Sequence, residues 1–143
     1  MTSRGGTYTL LLELQHPTSI DVGALGEIAF EHRWYAYTGS ALGPGGFARV
    51  DRHREVAAGE REVRHWHVDY LLGHPNTTID TVWISPGADS ECAIAANLPG
   101  EPIPGFGSSD CDCHAHLVGT DERERLAGAL NDRHARNPSN HEV

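Results

Sequence analysis

The segment "WYAYTGSALGPGG" (34–46) starts as an alternating aromatic strand pattern and ends in a loop, and the chain resumes at Phe47 with helical spacing. A change of period from two to 3.6 across a glycine-rich break requires a strand, a tight loop with exposed backbone, and a helix that packs back on the sheet. On that helix Phe47, Val50 and Ala57 share one side, while Arg49, Arg52 and His53, at i, i+3 and i+4, share another. One face can pack and the other can bind.

That clustering of cations stands out because the rest of the chain is acidic. The 143 residues carry 20 acids against 11 arginines and no lysine, a formal charge of -9. Residues 47–67 hold five arginines and four acids, and the remainder six arginines and sixteen acids, so a phosphate could approach here. The balance itself matches proteins kept soluble in a salt-rich cytoplasm and needs no basic partner to explain it. Without a lysine the glycine loop cannot act as a Walker-type phosphate loop, which disfavours triphosphate hydrolysis. The length suits one domain. No leader pattern or apolar run of membrane length is present, which predicts a cytoplasmic chain with no membrane partner. Cys92, Cys111 and Cys113 are odd in number, and two of them stand one residue apart, so reduced thiols are expected.

The pattern along the chain predicts strands over 7–15 and 27–39, with turns and a short extra strand between them. A helix follows the loop, then a short helix over 65–73 ended by Gly73, a strand over 78–85, and a helix over 89–98 capped by Asp89 or Ser90. Residues 99–113 read as loop, "HAHLV" (114–118) as a last strand, 121–134 as a polar helix with a thin stripe at Leu126 and Leu130, and the end as a frayed tail. There is no internal repeat.

Five blocks occur in a telling order: Gly6-Thr7-Tyr8, Tyr37-Thr38-Gly39, Arg49-Val50-Asp51-Arg52-His53, "HWHVDYLL" (65–72), and "SECAIAANL" (90–98) with Glu91, followed by "GFGSSDCDCHAHL" (105–117). Together they resemble the GIY-YIG nuclease superfamily, and within it the Uri-type endonucleases, over residues 6 to about 118. Two departures are visible. Threonine occupies the middle of both short motifs where the pattern has isoleucine, and the spacing between the motifs is long, which implies an inserted strand or hairpin.

The resemblance implies an α/β fold, with a small mixed sheet built on an antiparallel strand pair and flanked by helices. The nuclease-like domain would span 1–120, with a polar helix and tail over 121–143. It further implies a divalent-metal-dependent endonuclease that hydrolyses phosphodiester bonds in DNA, in a repair setting with a partner repair enzyme. Tyr8 would be the water-activating base, Tyr37 its hydrogen-bonding partner, Arg49 the phosphate clamp, His53 a proton relay and Glu91 the Mg²⁺ or Mn²⁺ ligand. Gly39, Ser40, Gly45, Gly46 and Arg52 would cradle phosphate, and His67 or Asp69 would orient the site. Free tyrosine titrates near ~10, so a base at Tyr8 is expected to need a cation beside it, a role open to Arg49 and the metal.

Each residue also has a plainer reading. Tyr8 and Tyr37 could be strand aromatics, Arg49 one charge of a solvated face, and Glu91 a carboxylate favoured by a helix N-terminus. Cys92, Cys111 and Cys113 with one histidine could hold a structural zinc, although alternation puts His114 and His116 opposite the two neighbouring cysteines. A non-catalytic nucleic-acid- or zinc-binding module of the same fold stays open beside the enzyme.

Overall fold

The computed structural model describes residues 5–42, 45–60, 62, 66–106 and 115–134. Strands are β1 (Gly6–Leu14), β2 (Thr18–Asp21), β3 (Glu27–Phe30), β4 (Trp34–Ser40), β5 (Thr77–Pro86), β6 (Glu101–Pro102) and β7 (Leu117–Thr120). Helices are α1 (Ala48–Ala57), α2 (His67–Leu72), α3 (Glu91–Ala96) and α4 (Arg123–Arg133). Five strands form one sheet in the order β5-β1-β4-β7-β6, and β2 and β3 form a separate pair. The α/β class, with an antiparallel pair at its centre and helices around it, is the fold the motifs imply. Among the described residues every strand pairing is antiparallel, so the sheet is antiparallel rather than the mixed one expected.

β1 is central because almost nothing on it needs water. Its residues from Gly6 to Leu12 are all buried, and β4 and β5 pair along its two edges. Alternation sends Tyr8, Leu10, Leu12 and Leu14 to one side, where they join Val50 and Val56 of α1 and Val68, Leu71 and Leu72 of α2. Leu11 goes to the other side with Trp83, Ile94 and Leu98 around α3, and with Leu126, Ala127 and Leu130 of α4. Two cores thus lie on opposite faces of one sheet, and each stabilises its helices through apolar burial of about 25 cal/mol per Å². The thin stripe read on the last helix is this second core's outer wall, with Asn131 also accepting the Trp83 indole N–H at 2.8 Å.

Several boundaries differ from the sequence expectation. The single strand expected over 27–39 is two, β3 and β4, broken at Glu31-His32-Arg33. Here backbone groups turn to side chains: the His32 N–H donates to the Tyr35 hydroxyl at 3.0 Å, and the Arg33 N–H to Asp121 at 2.9 Å. β3 is thereby released to pair with β2, and this hairpin is the insertion that the long motif spacing implies. The last strand starts at Leu117 rather than at 114, and a two-residue strand, β6, lies inside the segment read as loop. His65, Cys111, Cys113 and the expected tail at 135–143 lie outside the described residues.

On the second face the sheet also carries a buried polar chain. The Thr9 hydroxyl meets the Thr38 hydroxyl at 2.8 Å and His134 Nε2 at 2.7 Å, and His134 Nδ1 meets the Ser85 hydroxyl at 2.9 Å. These bonds tie β1, β4, β5 and the end of α4 together, and burial lowers the His134 pKa to about 4. Thr9→Val keeps the shape and removes the shared hydroxyl, which leaves buried partners unmet. The expected cost is about 2 kcal/mol in urea unfolding, and a loss below about 0.5 kcal/mol would mean that Thr38 and His134 re-pair without it.

Candidate active site

The register of β1 against β4 places Tyr8 opposite Gly39 and Leu10 opposite Tyr37, so the two tyrosines sit diagonally on one face of the sheet. Their ring centroids are 6.4 Å apart. Gly39 is the condition for this arrangement. A Cβ there would stand 2.6 Å from Tyr8 Oη and 2.8 Å from its Cζ, so any larger residue drives the phenol away.

α1 supplies the next layer. Gly45 and Gly46 take positive φ values of 92° and 52°, conformations that side chains disfavour, and so turn the chain into the helix within a few residues. His53, one turn after Arg49, is buried with Nε2 2.7 Å from the Tyr8 hydroxyl. Arg49 donates to the Ser40 carbonyl at 2.8 Å, and its guanidinium lies close enough to the Tyr8 hydroxyl to favour donor groups pointing at that oxygen. Because a guanidinium can only donate, the arrangement that serves both neighbours has Tyr8 O–H donating to His53 Nε2, with the histidine proton on Nδ1. Nδ1 is buried without a hydrogen-bond partner among the described residues.

Without the field of a metal ion, Arg49 by itself does not bring the Tyr8 phenol toward ionisation. Its pKa lies well above the ordinary value of 10.0, raised first by burial and then by Tyr37, and the lowering by Arg49 does not offset them. The phenol is therefore neutral, and the group that can take its proton is His53, which burial holds unprotonated with a pKa lowered to about 4. Tyr8 and His53 form a pair in which the histidine is the acceptor.

Arg52 and Asp69 have a different place. Arg52 makes two parallel hydrogen bonds to the fully buried Asp69 carboxylate, at 3.0 and 3.1 Å. Asp69 also accepts the Trp66 N–H at 2.9 Å, capping α2. Arg52 is thus engaged in joining α1 to α2, and Asp69 orients the site through it. Trp66, partly buried against the first core, also lies under both cations, with the Arg49 and Arg52 guanidinium carbons 4.6 and 4.3 Å from its ring centroid. An aromatic following two cations at i, i+3 was the available signal. With Ala41, Gly45, Gly46 and Ala48 these three side chains line a cavity of about 240 Å³ at the start of α1. His67 lies outside this group, its ring 5.7 Å from that of Phe106.

Glu91 enters from the other layer, at the first position of α3, which packs on β4. Partial burial raises its pKa, a neighbouring Asp89 adds to the rise, and the Arg49 charge opposes it. Arg49 therefore acts on both Tyr8 and Glu91. Among the described residues no three His, Cys, Asp or Glu side chains gather into a metal cage. One partly buried carboxylate, open to solvent on one side, instead fits a hard cation such as Mg²⁺ that keeps most of its water and takes phosphate oxygens. Cys92 is disulfide-bonded, which corrects the expectation of a reduced thiol there. The spacing of Cys111 and Cys113 argued only against a bridge between those two. His116, which the sequence offered only as a candidate zinc ligand, lies 3.8 Å from Cys92 Sγ and 6.5 Å, ring to ring, from Tyr37.

A family model described as "Domain of unknown function DUF123" matches residues 7–138. The chain belongs to the DUF123 family. Neither a curated protein nor a solved structure matches it. The DUF123 match begins inside the first motif and runs past α4, so the tyrosine pair, α1, Glu91 and the back-face histidine all fall within one family unit.

The buried histidine gives this DUF123 member an acid-sensitive stability. His53 is held near 4 when folded, against an ordinary 6.5, so the unfolded chain binds more protons between these values. Stability is then full above about pH 6.5 and is lost as pH falls through about 4. His134 acts with the same sign. Thermal unfolding across pH 8 to 4 should show Tm falling in this window, and His53→Gln should flatten part of the slope. A slope unchanged in that variant would show that position 53 does not titrate there.

Proposed function

We propose that this chain is a divalent-metal-dependent endonuclease of GIY-YIG type that hydrolyses phosphodiester bonds in DNA. The observation that carries the reading is the buried Tyr8–His53 hydrogen bond, with Arg49 acting on Tyr8 and, together with Arg52, lining a cavity at the start of α1. A neutral phenol on a neutral imidazole is a two-step proton acceptor. As Tyr8 passes its proton to His53 Nε2, its oxygen takes one from the attacking water. Burial first, and the charges of Arg52 and Arg49 working against the nearby Asp69 carboxylate, make the resulting imidazolium costly in the resting protein. A phosphate arriving beside them supplies the compensating negative charge, which restricts the transfer to the substrate-bound state.

Arg49 clamps the phosphate from a fixed position, since Ser40 and Trp66 hold its guanidinium. A Mg²⁺ or Mn²⁺ ion held at Glu91 would supply charge stabilisation for the departing oxygen. Gly46, Ala41 and Ala48 keep the cavity wall small, so backbone can approach the ligand.

Purified protein challenged with single-stranded, duplex, flapped and abasic DNA, with and without Mg²⁺ or Mn²⁺, tests the reading. Cleavage should require the metal. Glu91→Gln should abolish it with the fold intact, and Tyr8→Phe should slow it about 10²- to 10⁴-fold with DNA binding unchanged. Binding without cleavage in the wild type would identify a non-catalytic nucleic-acid module. A Tyr8→Phe rate within about threefold of wild type would return Tyr8 to the core.

A further inference from the structure

Both short motifs carry threonine in the middle, and the structure gives the first of them a task. Thr7 is fully buried and points to the face of β1 opposite Tyr8. Its hydroxyl donates to the Ala88 carbonyl at 2.9 Å and accepts the Ser90 N–H at 3.0 Å. Both partners belong to the turn that leads from β5 into α3, and Ser90 immediately precedes Glu91.

Among the described residues that turn has few other ties. Sheet pairing ends at Gly6 with Pro86, and one more backbone bond joins the Gly87 N–H to the Gly5 carbonyl at 2.8 Å. Ala88 then donates back to Ser85 at 3.1 Å. At the helix start the Ser90 side chain makes no capping bond, so the expected local cap is missing. A helix of six residues is too short to hold its own direction. The Thr7 hydroxyl does from the neighbouring strand what a capping side chain does from within, satisfying an N–H at the helix entrance.

We propose that Thr7 is a positioning residue for Glu91: one hydroxyl on the back of β1 sets the entrance of α3 and thereby holds the carboxylate in register with Tyr8, the next residue of the same strand. The role rests on the metal-ligand reading of Glu91. It accounts for threonine where the resembling pattern has isoleucine, because an aliphatic side chain of similar size fills the volume but cannot bond Ala88 and Ser90.

The test compares Thr7→Val, Thr7→Ser and Thr9→Val. Thr9 lies on the same strand and face and its hydroxyl is also buried, yet it bonds Thr38 and His134 rather than the α3 turn. Mn²⁺ affinity is read by electron paramagnetic resonance on DNA-free protein, and amide hydrogen exchange is read at Ser90 by NMR. Thr7→Val should weaken Mn²⁺ binding about 10- to 100-fold and lower Ser90 protection about tenfold, with Thr7→Ser restoring both and Thr9→Val moving neither. Wild-type Mn²⁺ affinity and Ser90 protection in a folded Thr7→Val protein would overturn the proposal, as would an equal loss of both in Thr9→Val. If Thr7→Val does not fold, Thr7→Ser against Thr7→Cys carries the same comparison between a hydroxyl and a weakly bonding thiol. If wild type and Glu91→Gln bind Mn²⁺ alike, the metal reading of Glu91 fails; Ser90 protection and the Glu91 carboxyl chemical shift in Thr7→Val then decide the positioning role alone.

Discussion

The Tyr8 phenol lies directly against the backbone of Gly39, in a space that no side chain can share. This contact depends on the β1–β4 register, and a slip of one residue would send Tyr8 and Tyr37 to the other face of the sheet. With the register set, the Tyr8 hydroxyl points at α1, His53 meets it, and Arg49 one turn earlier reaches both Ser40 and the phenol. The two strands are locked from behind by Thr9 and Thr38, whose hydroxyls bond across the same pair.

Electrostatics then divides the cations by task. Arg52 spends its charge on Asp69, a carboxylate with no exposure, which joins α1 to α2 and leaves Arg49 as the guanidinium reaching the phenol. Trp66 spaces the two guanidiniums and gives both a π surface. Even in an acidic protein, holding two guanidiniums against one ring is favoured by such a buried counter-charge and the aromatic platform. The same burial that raises Tyr8 lowers His53, so the proton of the pair rests on the phenol.

Much of this could be read from the chain. The glycine loop after an alternating strand announced the turn into α1, and the spacing of Arg49, Arg52 and His53 put them on one face. Other parts escaped. Trp66 does pack against the core, but period and propensity do not show that two guanidiniums lie against its ring. The strand expected over 27–39 breaks at three charged residues because Tyr35 and Asp121, one of them far along the chain, capture the backbone N–H groups. Cys92 is bonded for a similar reason: proximity in space is not written in spacing.

What the sequence by itself determined are the properties that local chemistry dictates: an α/β order of elements, the strand carrying Tyr37, Thr38 and Gly39, the glycine turn and the face on which α1 presents its cations. These follow from periodicity and backbone freedom within a dozen residues. Only the tertiary structure decided that Tyr8 stays protonated on a neutral His53, that Arg52 serves Asp69, and that Glu91 arrives from the opposite layer behind a threonine hydroxyl. Each of these is an outcome of burial and of contacts between distant segments. A pKa or a choice of hydrogen-bond partner depends on what surrounds a group once the core has closed, and no stretch of sequence carries its own surroundings.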